Sequence, residues 1–402
     1  MNANTTINKN FLIVLLGILA ALGPFTIDMY LPGFKQIALD LRTDEKHVAF
    51  TLTSYFVGIA VGQLFYGPIV DKYGRKRPLL FGLFIYALSA LGCAFSPSIQ
   101  TMIGMRLLQA LGGCVGMVAA NAIISDVYEV NQRAKAFSTM ILIMGVAPLV
   151  APSIGSFFVE QANWQYIFYF LTLFAFLVGL LIYFFLPETS LYMHSNKLKI
   201  KTISKDYLTI LKTKIFFRYI VAGSLSMAIL FAYISSASFI FLTHYALSKT
   251  TFSILFAINA SGLILGSYLN GLLTNYVNYV TIARRASIIL GIITLLLLVL
   301  IYLKPNLPYQ YMVGGLFSVL FTVGFINPNA TAASLVPFTG NVGAASALSG
   351  AIRMGVGALV AAAIGAFQGN SPITMAIVFF VLTLLASILL WTAPRPTKPE
   401  IN

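Results

Sequence analysis

Residues 62–80 read GQLFYGPIVDKYGRKRPLL, and no other segment of the chain is as informative. An apolar run leads into this segment, a short loop carries Arg75, Lys76 and Arg77, and a second apolar run follows. Gly74 can turn the chain between the two runs. Two apolar runs joined by a short basic loop are typical of neighbouring membrane-spanning helices, because loops on the inner face of a membrane are enriched in Lys and Arg.

Apolar runs of this kind recur along all 402 residues. Of these residues 59% are hydrophobic and 9% are charged, whereas soluble proteins average about 25% charged residues. A helix needs roughly 20 apolar residues to cross a bilayer. The sequence therefore predicts an all-α membrane protein with twelve transmembrane helices, at 11–33, 48–69, 78–95, 99–122, 136–158, 164–186, 216–242, 251–274, 283–303, 309–329, 341–366 and 372–393.

The net charge of +14 is distributed unevenly among the loops. With the amino terminus in the cytoplasm, most Lys and Arg residues fall in cytoplasmic loops and tails, including 72–77 and 197–214. The opposite side holds Lys35, Arg42, Lys46, Lys249 and Lys304. This bias predicts that both termini lie in the cytoplasm. It orients the protein in anionic lipid, so we expect the bilayer as its environment and no nucleic acid as a partner.

A long polar interruption divides six predicted helices from six. We predict an N-terminal six-helix bundle at 1–187, a cytoplasmic linker at 188–214 and a C-terminal six-helix bundle at 215–402. Gly67 follows the second helix and Gly271 follows the eighth, and each precedes a basic cluster. This weak repeat indicates two pseudo-symmetric halves, an arrangement that suits alternating access to a midplane site.

The loop after the second helix has the ordered spacing G-x-x-x-D-x-x-G-R-K, carried by Gly67, Asp71, Gly74 and Arg75. It resembles the signature loop between helices 2 and 3 of the major facilitator superfamily. Gly67 is expected to let two helix ends approach closely, and Asp71 can meet a helix amino terminus or an arginine. The resemblance implies that Asp71 and Arg75 belong to a cytoplasmic gate that latches the outward-open state.

The fourth predicted helix contains MRLLQALGG at 105–113. An arginine within an apolar span is energetically costly and usually functional. Around Arg106 the segment resembles the R-x-x-Q-G-x-G motif of proton-coupled superfamily members, with Ala110 in place of the first glycine. The resemblance implies that Arg106 takes part in proton coupling.

The fifth predicted helix contains GVAPLVAPSIGS at 145–156. Its small residues at every fourth position predict a face for close helix contact, and its two prolines predict a bend. The segment resembles the antiporter motif of superfamily exporters, with Ser156 where a second glycine is usual. This resemblance favours export over import and implies gating roles for Gly145, Pro148, Pro152 and Gly155.

The first predicted helix ends in the run DMYLP at 28–32. Together with the loop and the fifth-helix motif, this run narrows the resemblance to drug:proton antiporters of the bicyclomycin- and chloramphenicol-resistance type. The resemblance is strongest over 20–170. It implies proton-coupled export of small organic molecules or drugs across the bacterial inner membrane. A dedicated metabolite or siderophore exporter and a proton-coupled importer remain the alternatives.

Charged groups within the predicted spans are few. Of 11 acids, Asp28 alone falls inside a span, and Arg106 and Arg353 are its basic counterparts. Asp28 lies roughly 8 Å and Arg106 roughly 10 Å from the outer ends of their helices, at about 1.5 Å per residue, so they can share a level. Arg353 lies near the midplane. These three residues are our candidates for proton coupling, and a purely structural ion pair between Asp28 and Arg106 is the alternative.

We expect Asp28 to be the point at which protonation and substrate binding compete, because burial disfavours the ionised carboxylate while a nearby arginine favours it. Several other polar or aromatic groups within the spans are candidates for the substrate cavity, although packing is the alternative for each. The predicted substrate-binding residues are Asp28, Tyr30, Asn121, Tyr233, Asn259 and Arg353. Asn327, Asn329, Tyr55, Phe56 and Met117 are weaker candidates.

Other classes of function find little support in the sequence. His47, His194 and His244 lie in separate loops without a partner at ligand spacing, so we expect neither an enzyme nor a metal site. We also expect no cofactor. A channel is disfavoured because no filter loop or ring of charge is present in the sequence. The expected partners are a small-molecule substrate and protons, and the expected state is a monomer.

Overall fold

The computed structural model describes residues 8–128, 130–190, 207–338, 342–366 and 371–395. Twelve of its helices are long and apolar enough to cross a membrane, which confirms the predicted fold class. They are α1 (Lys9–Asp28), α2 (Glu45–Tyr73), α3 (Lys76–Ala94), α4 (Ile99–Val127), α5 (Val130–Gln161), α6 (Gln165–Phe185), α7 (Lys214–Ser238), α8 (Lys249–Leu273), α9 (Tyr279–Leu303), α10 (Tyr309–Leu335), α11 (Val342–Ala366) and α12 (Pro372–Thr392). No strand occurs within the described ranges.

Short polar residues set where several helices begin. The side chains of Ser98, Ser248 and Ser371 accept a hydrogen bond from the backbone N–H three residues later, at the starts of α4, α8 and α12. Asn278 caps α9 through the N–H of Val280. These groups satisfy N–H donors that have no partner within the helix. An apolar run therefore becomes a helix whose start is specified by its own sequence.

Two spanning helices carry irregular extensions. After α1 the chain passes through a 3-10 turn, Leu31–Gly33, into a short helix, Phe34–Asp40. Pro32 in this turn cannot donate a backbone hydrogen bond, which is consistent with the end of the regular helix at Asp28. After α7 the chain continues as a π-helical turn, Phe239–His244.

The chain divides into two compact units. Unit 1 comprises 1–43 and 54–199, and unit 2 comprises 44–53 and 200–402. Within unit 1, α1 packs on α5, and α3 packs on α4 and α6; within unit 2, α7 packs on α11, and α9 packs on α10 and α12. The same pairings recur with the helix number raised by six, as expected for an internal duplication.

Glycines create the closest helix contacts in both units. A Cβ at Gly58 would lie 2.7 Å from the carbonyl oxygen of Leu107, so α2 and α4 are nearly in backbone contact. A Cβ at Gly262 would lie 2.9 Å from the carbonyl oxygen of Phe317, which brings α8 equally close to α10. Small residues let helix backbones approach in this way within membranes. The contact is thus another feature common to the two units.

The small face of α5 is used as the sequence predicts. Ala147 and Ala151 are buried, and Gly155 packs on the end of α1, because a Cβ there would overlap the carbonyl oxygen of Met29. Pro148 and Pro152 lie within one continuous helix. The bend expected from these prolines remains a prediction.

Candidate functional site

Asp28 is the last residue of α1 and is 3% exposed. Its Oδ1 atom is buried without a hydrogen-bond partner in the described part of the chain. The carbonyl group of the next residue, Met29, packs against Gly155 of α5. The residue next to Asp28 therefore contacts the backbone of the helix that carries the predicted antiporter motif.

Arg106 of α4 is fully buried beside the same end of α1. Its Nη1 donates to the side-chain oxygen of Gln109 at 2.9 Å, and its Nη2 donates to the carbonyl oxygen of Thr26 at 3.1 Å. Thr26 lies in the last turn of α1, where carbonyl groups lack their usual helical partners and carry partial negative charge. Arg106 therefore caps α1 from a neighbouring helix.

Aromatic rings surround the guanidinium of Arg106. Its Cζ atom lies 4.3 Å from the ring centre of Tyr30, 4.6 Å from that of Tyr55 and 5.9 Å from that of Phe168. All three rings are buried. Cation–π contacts of this kind gain strength when water is excluded. Tyr30, predicted to bind substrate, and Tyr55, predicted to line the cavity wall, thus enclose this cation.

Asp28 and Arg106 do not form an ion pair with each other in the described ranges. The sequence correctly places both residues at the same end of α1, but the direct pairing considered above is not observed. The guanidinium instead donates to Gln109 and to the Thr26 carbonyl, while its Nε is buried without a partner in the described residues. Every residue has a backbone carbonyl group, so the sequence does not indicate which carbonyl oxygen accepts a hydrogen bond from Arg106.

Tyr86 of α3 is buried beside this cluster. Its hydroxyl shares a 2.5 Å hydrogen bond with the side chain of Thr26, whose hydroxyl also lies 2.5 Å from the carbonyl oxygen of Leu22. Thr26 therefore joins α1 to α3 through its side chain and to α4 through its carbonyl oxygen. Neither Thr26 nor Tyr86 stands out in the sequence, since both lie within long apolar runs.

Unit 2 contains a separate aromatic and amide cluster. The rings of Tyr233 and Phe256 stack with their centres 5.3 Å apart. The hydroxyl of Tyr233 accepts a hydrogen bond from the NH₂ group of Asn259 at 3.2 Å, and Asn259 is fully buried. Two of the predicted substrate-binding residues are thus in contact. The other predicted substrate-binding amide, Asn121 of α4, belongs to unit 1 and is exposed.

Arg353 of α11 contacts α10. Its Nη2 donates to the hydroxyl oxygen of Thr331 at 2.7 Å, and the Thr331 hydroxyl donates to the carbonyl oxygen of Asn327 at 2.8 Å. Nearby, Asn329 and Asn270 exchange hydrogen bonds through their side-chain amides at 2.6 and 3.5 Å. Asn329 therefore serves to join α8 and α10, whereas Asn327 is adjacent to the arginine.

The loop after α2 is held by acids that the sequence analysis did not single out. Gly74 has a φ of 84°, a conformation that favours glycine. The Nε of Arg75 donates to Asp126 at 2.9 Å, at the end of α4. Glu188, just after α6, accepts hydrogen bonds from the backbone N–H groups of Arg75 at 2.8 Å and Lys76 at 3.1 Å. A carboxylate from a distant segment thus caps the start of α3.

Gly67 does not have the expected close contact. No atom of the described structure lies within 4 Å of a Cβ built at this residue. Close approach of α2 to α4 occurs instead at Gly58 and at Gly62, which faces the sulfur of Cys114. The side chain of Asp71 lies outside the described part of the structure. The gating roles of Gly67, Asp71 and Gly145 therefore remain predictions.

Outside the spans, Asp44 caps the start of α2. Its Oδ1 accepts hydrogen bonds from the backbone N–H of His47 at 2.8 Å and from the His47 ring at 2.7 Å. The backbone hydrogen bond, followed by the side-chain contact, holds the pKa of Asp44 below its ordinary value of 3.8. This exposed pair contributes only weakly to stability.

The chain resembles known membrane transporters in sequence and in fold. The sequence pattern described as Major Facilitator Superfamily matches residues 15–354. The chain is 34% identical to an uncharacterized MFS-type transporter, YdgK, of Bacillus subtilis over 93% of each chain. It is 33% identical to a bicyclomycin resistance protein homolog of Haemophilus influenzae over 90% of this chain and 91% of that one. A crystal structure of a D-xylose-proton symporter shares the fold, with a TM-score of 0.75 and 14% identity over 97% of this chain and 99% of that one.

Proposed function

This chain belongs to the major facilitator superfamily, and we propose that it is a proton-coupled antiporter that exports small organic molecules or drugs across the bacterial inner membrane. The similarity to a bicyclomycin resistance protein homolog over most of both chains supports this proposal. So does 34% identity over 171 residues to a multidrug resistance protein, MdtL, of Salmonella paratyphi C, which covers 42% of this chain and 43% of that one. In this proposal the basic loops and both termini face the cytoplasm.

The observation that carries the proposal is the position of Asp28. Among the described residues it is the one buried acid, and its Oδ1 atom is unpaired. An unpaired carboxylate in an apolar interior is strongly disfavoured, and uptake of a proton removes the charge. Asp28 can therefore bind and release a proton as its access to water changes during transport.

The proton on Asp28 can influence helix packing through its position. Asp28 follows the last carbonyl groups of α1, to which Arg106 is bound, and it adjoins Met29, on which α5 packs. A change in charge at this point alters the electrostatic balance between α1, α4 and α5. In our proposal protonation and substrate binding are mutually exclusive, which couples export to proton entry. Each pH unit of gradient then contributes about 1.4 kcal/mol to transport.

Everted membrane vesicles provide the test. Respiration acidifies their interior, and a pH-sensitive dye reports the gradient. If the protein is an antiporter, chloramphenicol or bicyclomycin should enter the vesicles and dissipate part of the gradient, and a protonophore should abolish this uptake. Asp28→Asn should abolish both responses, whereas Glu160→Gln, a matched change at an exposed acid of α5, should leave them unchanged.

The same assay distinguishes the alternatives. A proton-coupled importer would release preloaded substrate from the vesicles together with protons. A dedicated exporter would respond to one metabolite or siderophore and to no drug. Proton-dependent uptake at the wild-type rate in Asp28→Asn would show that coupling does not depend on this carboxyl group. The proposed monomeric state is open to test by the mass of the purified protein in detergent.

A further inference from the structure

A long interval in the second half of the sequence contains no acid. No Asp or Glu occurs between Asp206 and Glu400, an interval that includes all of α7 to α12. Arg353 lies in this interval, within a membrane span. It therefore has no carboxylate available on any of these six helices. A cation within a span normally has an anionic or strongly polar partner, so an anionic partner of Arg353 must come from outside these six helices.

The hydrogen bonds of Arg353 are incomplete. A guanidinium has five N–H donors, and the structure shows one hydrogen bond from Nη2 to Thr331. The Nε atom is buried and unpaired in the described ranges. Asn327, one turn before Thr331, also has a buried Oδ1 without a partner there, and its NH₂ group contacts only the weak acceptor Sδ of Met227, at 3.7 Å. One unsatisfied polar group thus lies on each of the two helices, α10 and α11, that the Arg353–Thr331 hydrogen bond joins.

An aromatic ring lies one helical turn from Arg353. One turn further along α11, Gly357 packs against the ring of Phe231, where a Cβ would lie 2.6 Å from Cε2. Unlike Arg106, Arg353 makes no cation–π contact in the described part of the chain. A half-buried cation with spare donors, one helical turn from an aromatic ring, is suited to an aromatic or apolar molecule that bears an oxyanion.

We propose that Arg353 and Thr331 form a polar half-site within unit 2 that binds the carboxylate of those exported molecules that carry one. This inference rests on the proposed export function and specifies one class of substrate for it. A guanidinium binds a carboxylate through two parallel N–H···O hydrogen bonds. The hydroxyl of Thr331 orients the guanidinium of Arg353. The ring of Phe231 contacts the apolar part of the bound molecule.

Binding of three matched probes to the purified full-length protein tests this half-site. The probes are 2-naphthoate, 2-naphthamide and 2-naphthylmethylammonium. They share one ring system and carry an anionic, a neutral and a cationic substituent, respectively. The wild-type protein should bind naphthoate most tightly and the ammonium compound least tightly. Arg353→Met should raise the Kd for naphthoate about tenfold or more, because a charge-assisted hydrogen-bonded contact is lost.

Conservative variants separate recognition from folding. Arg353→Lys keeps the charge but not the planar fork, so it should raise the Kd for naphthoate by less than Arg353→Met does. Thr331→Val should raise it about threefold to tenfold, because the guanidinium of Arg353 loses the hydrogen bond that orients it. Arg285→Gln removes an arginine from an exposed position of α9 and should change nothing. Circular dichroism of each variant checks that its helices are intact.

Several results would overturn the proposal. These are failure of the wild-type protein to bind naphthoate, equal binding of the ammonium probe, and wild-type binding by a folded Arg353→Met protein. Competition by free acetate at the same concentrations as naphthoate would also overturn it, because the site would then bind bulk anions rather than a substrate.

The outcome is separable from that of the proposed function. Carboxylate-selective binding that depends on Arg353, without proton-dependent uptake in vesicles, would support the half-site and contradict proton-coupled export. Proton-dependent uptake without such binding would support proton-coupled export and contradict the half-site.

Discussion

Arg106 in unit 1 and Arg353 in unit 2 are both arginines within membrane spans, but their surroundings differ. Arg106 is fully buried, donates to Gln109 and to the Thr26 carbonyl, and lies between aromatic rings. Arg353 donates to Thr331 and has an unpaired Nε in the described structure. The Nε of each arginine is unpaired in the described structure, so the two differ in their remaining contacts: Arg106 makes two hydrogen bonds and three cation–π contacts and caps α1, whereas Arg353 makes one hydrogen bond.

The comparison separates what the two units share from what they do not. Both use the same helix pairings and the same close α2–α4 or α8–α10 contact through glycines. The acids within or next to the spans, by contrast, include Asp28, Asp126 and Glu188, which all belong to unit 1. Duplication has thus preserved packing, which depends on residue size, while the polar chemistry of the units diverged. In our proposal unit 1 handles the proton and unit 2 holds the substrate carboxylate.

The largest difference between the units should appear when each arginine is replaced by methionine. Arg106→Met leaves the Thr26 carbonyl and Gln109 buried without their partner, so we expect a loss of about 1–3 kcal/mol for each of these two groups. Arg353→Met removes one hydrogen bond and should cost about 1 kcal/mol or less. Thermal loss of the helical circular-dichroism signal in detergent measures both, and equal shifts would contradict the distinction between cap and binding group.

The next largest loss of stability should come from adding a methyl group where α1 contacts α5. In Gly155→Ala the new Cβ overlaps the Met29 carbonyl oxygen, and such overpacking costs about 1–3 kcal/mol. Because Met29 adjoins Asp28, we also expect weaker proton-dependent uptake in vesicles. Gly266→Ala overlaps the Phe321 carbonyl oxygen in unit 2 and should reduce stability alone.

Gly179→Ala is the matched control for these two variants, since a Cβ at Gly179 has open space around it in the described structure. It should preserve both stability and uptake. Loss of proton-dependent uptake in Gly266→Ala to the same extent as in Gly155→Ala would show that the effect comes from distortion of the helices in general.

Unit 2 joins α8 to α10 by a neutral amide pair, and this pair predicts an intermediate effect. Asn270→Leu and Asn329→Leu each leave one buried amide without its partner, whereas the double variant leaves none. We therefore expect the double variant to be more stable than the sum of the single losses predicts, by about 1–2 kcal/mol. Thermal denaturation of the three variants gives this coupling energy, and strict additivity would show that the amides act independently.

The smallest effects should come from the helix caps at equivalent loops of the two units. Asn278 caps its own helix, α9, through one N–H, so Asn278→Ala should cost about 1 kcal/mol. Glu188 caps α3 through two N–H groups of a distant segment. Glu188→Ala should therefore cost more than Asn278→Ala and increase amide hydrogen exchange at both the start of α3 and the segment after α6. Increased exchange at one of these two places alone would contradict the capping role.

Much of the architecture follows from local sequence. Twelve spans are evident because a helix satisfies its own backbone hydrogen bonds, so that apolar length is enough to predict it in a membrane. The starts of α4, α8, α9 and α12 are specified by single capping side chains close in sequence. The burial of Asp28 was predictable as well, because no other acid falls within an apolar run. The small face of α5 was predictable from its spacing of four residues.

The bonding of those residues depends on contacts between distant segments. Sequence patterns identified Arg106 but not its acceptor, because the acceptor is a backbone carbonyl group at the end of another helix. They suggested a close contact at Gly67, whereas helix geometry places the contact at Gly58 and Gly62. They assign both Arg106 and Arg353 to proton coupling and only Arg353 to substrate binding, but they do not predict the contacts that each arginine makes. The difference arises from the neighbouring helices: α1 ends beside Arg106, and a threonine of α10 lies beside Arg353.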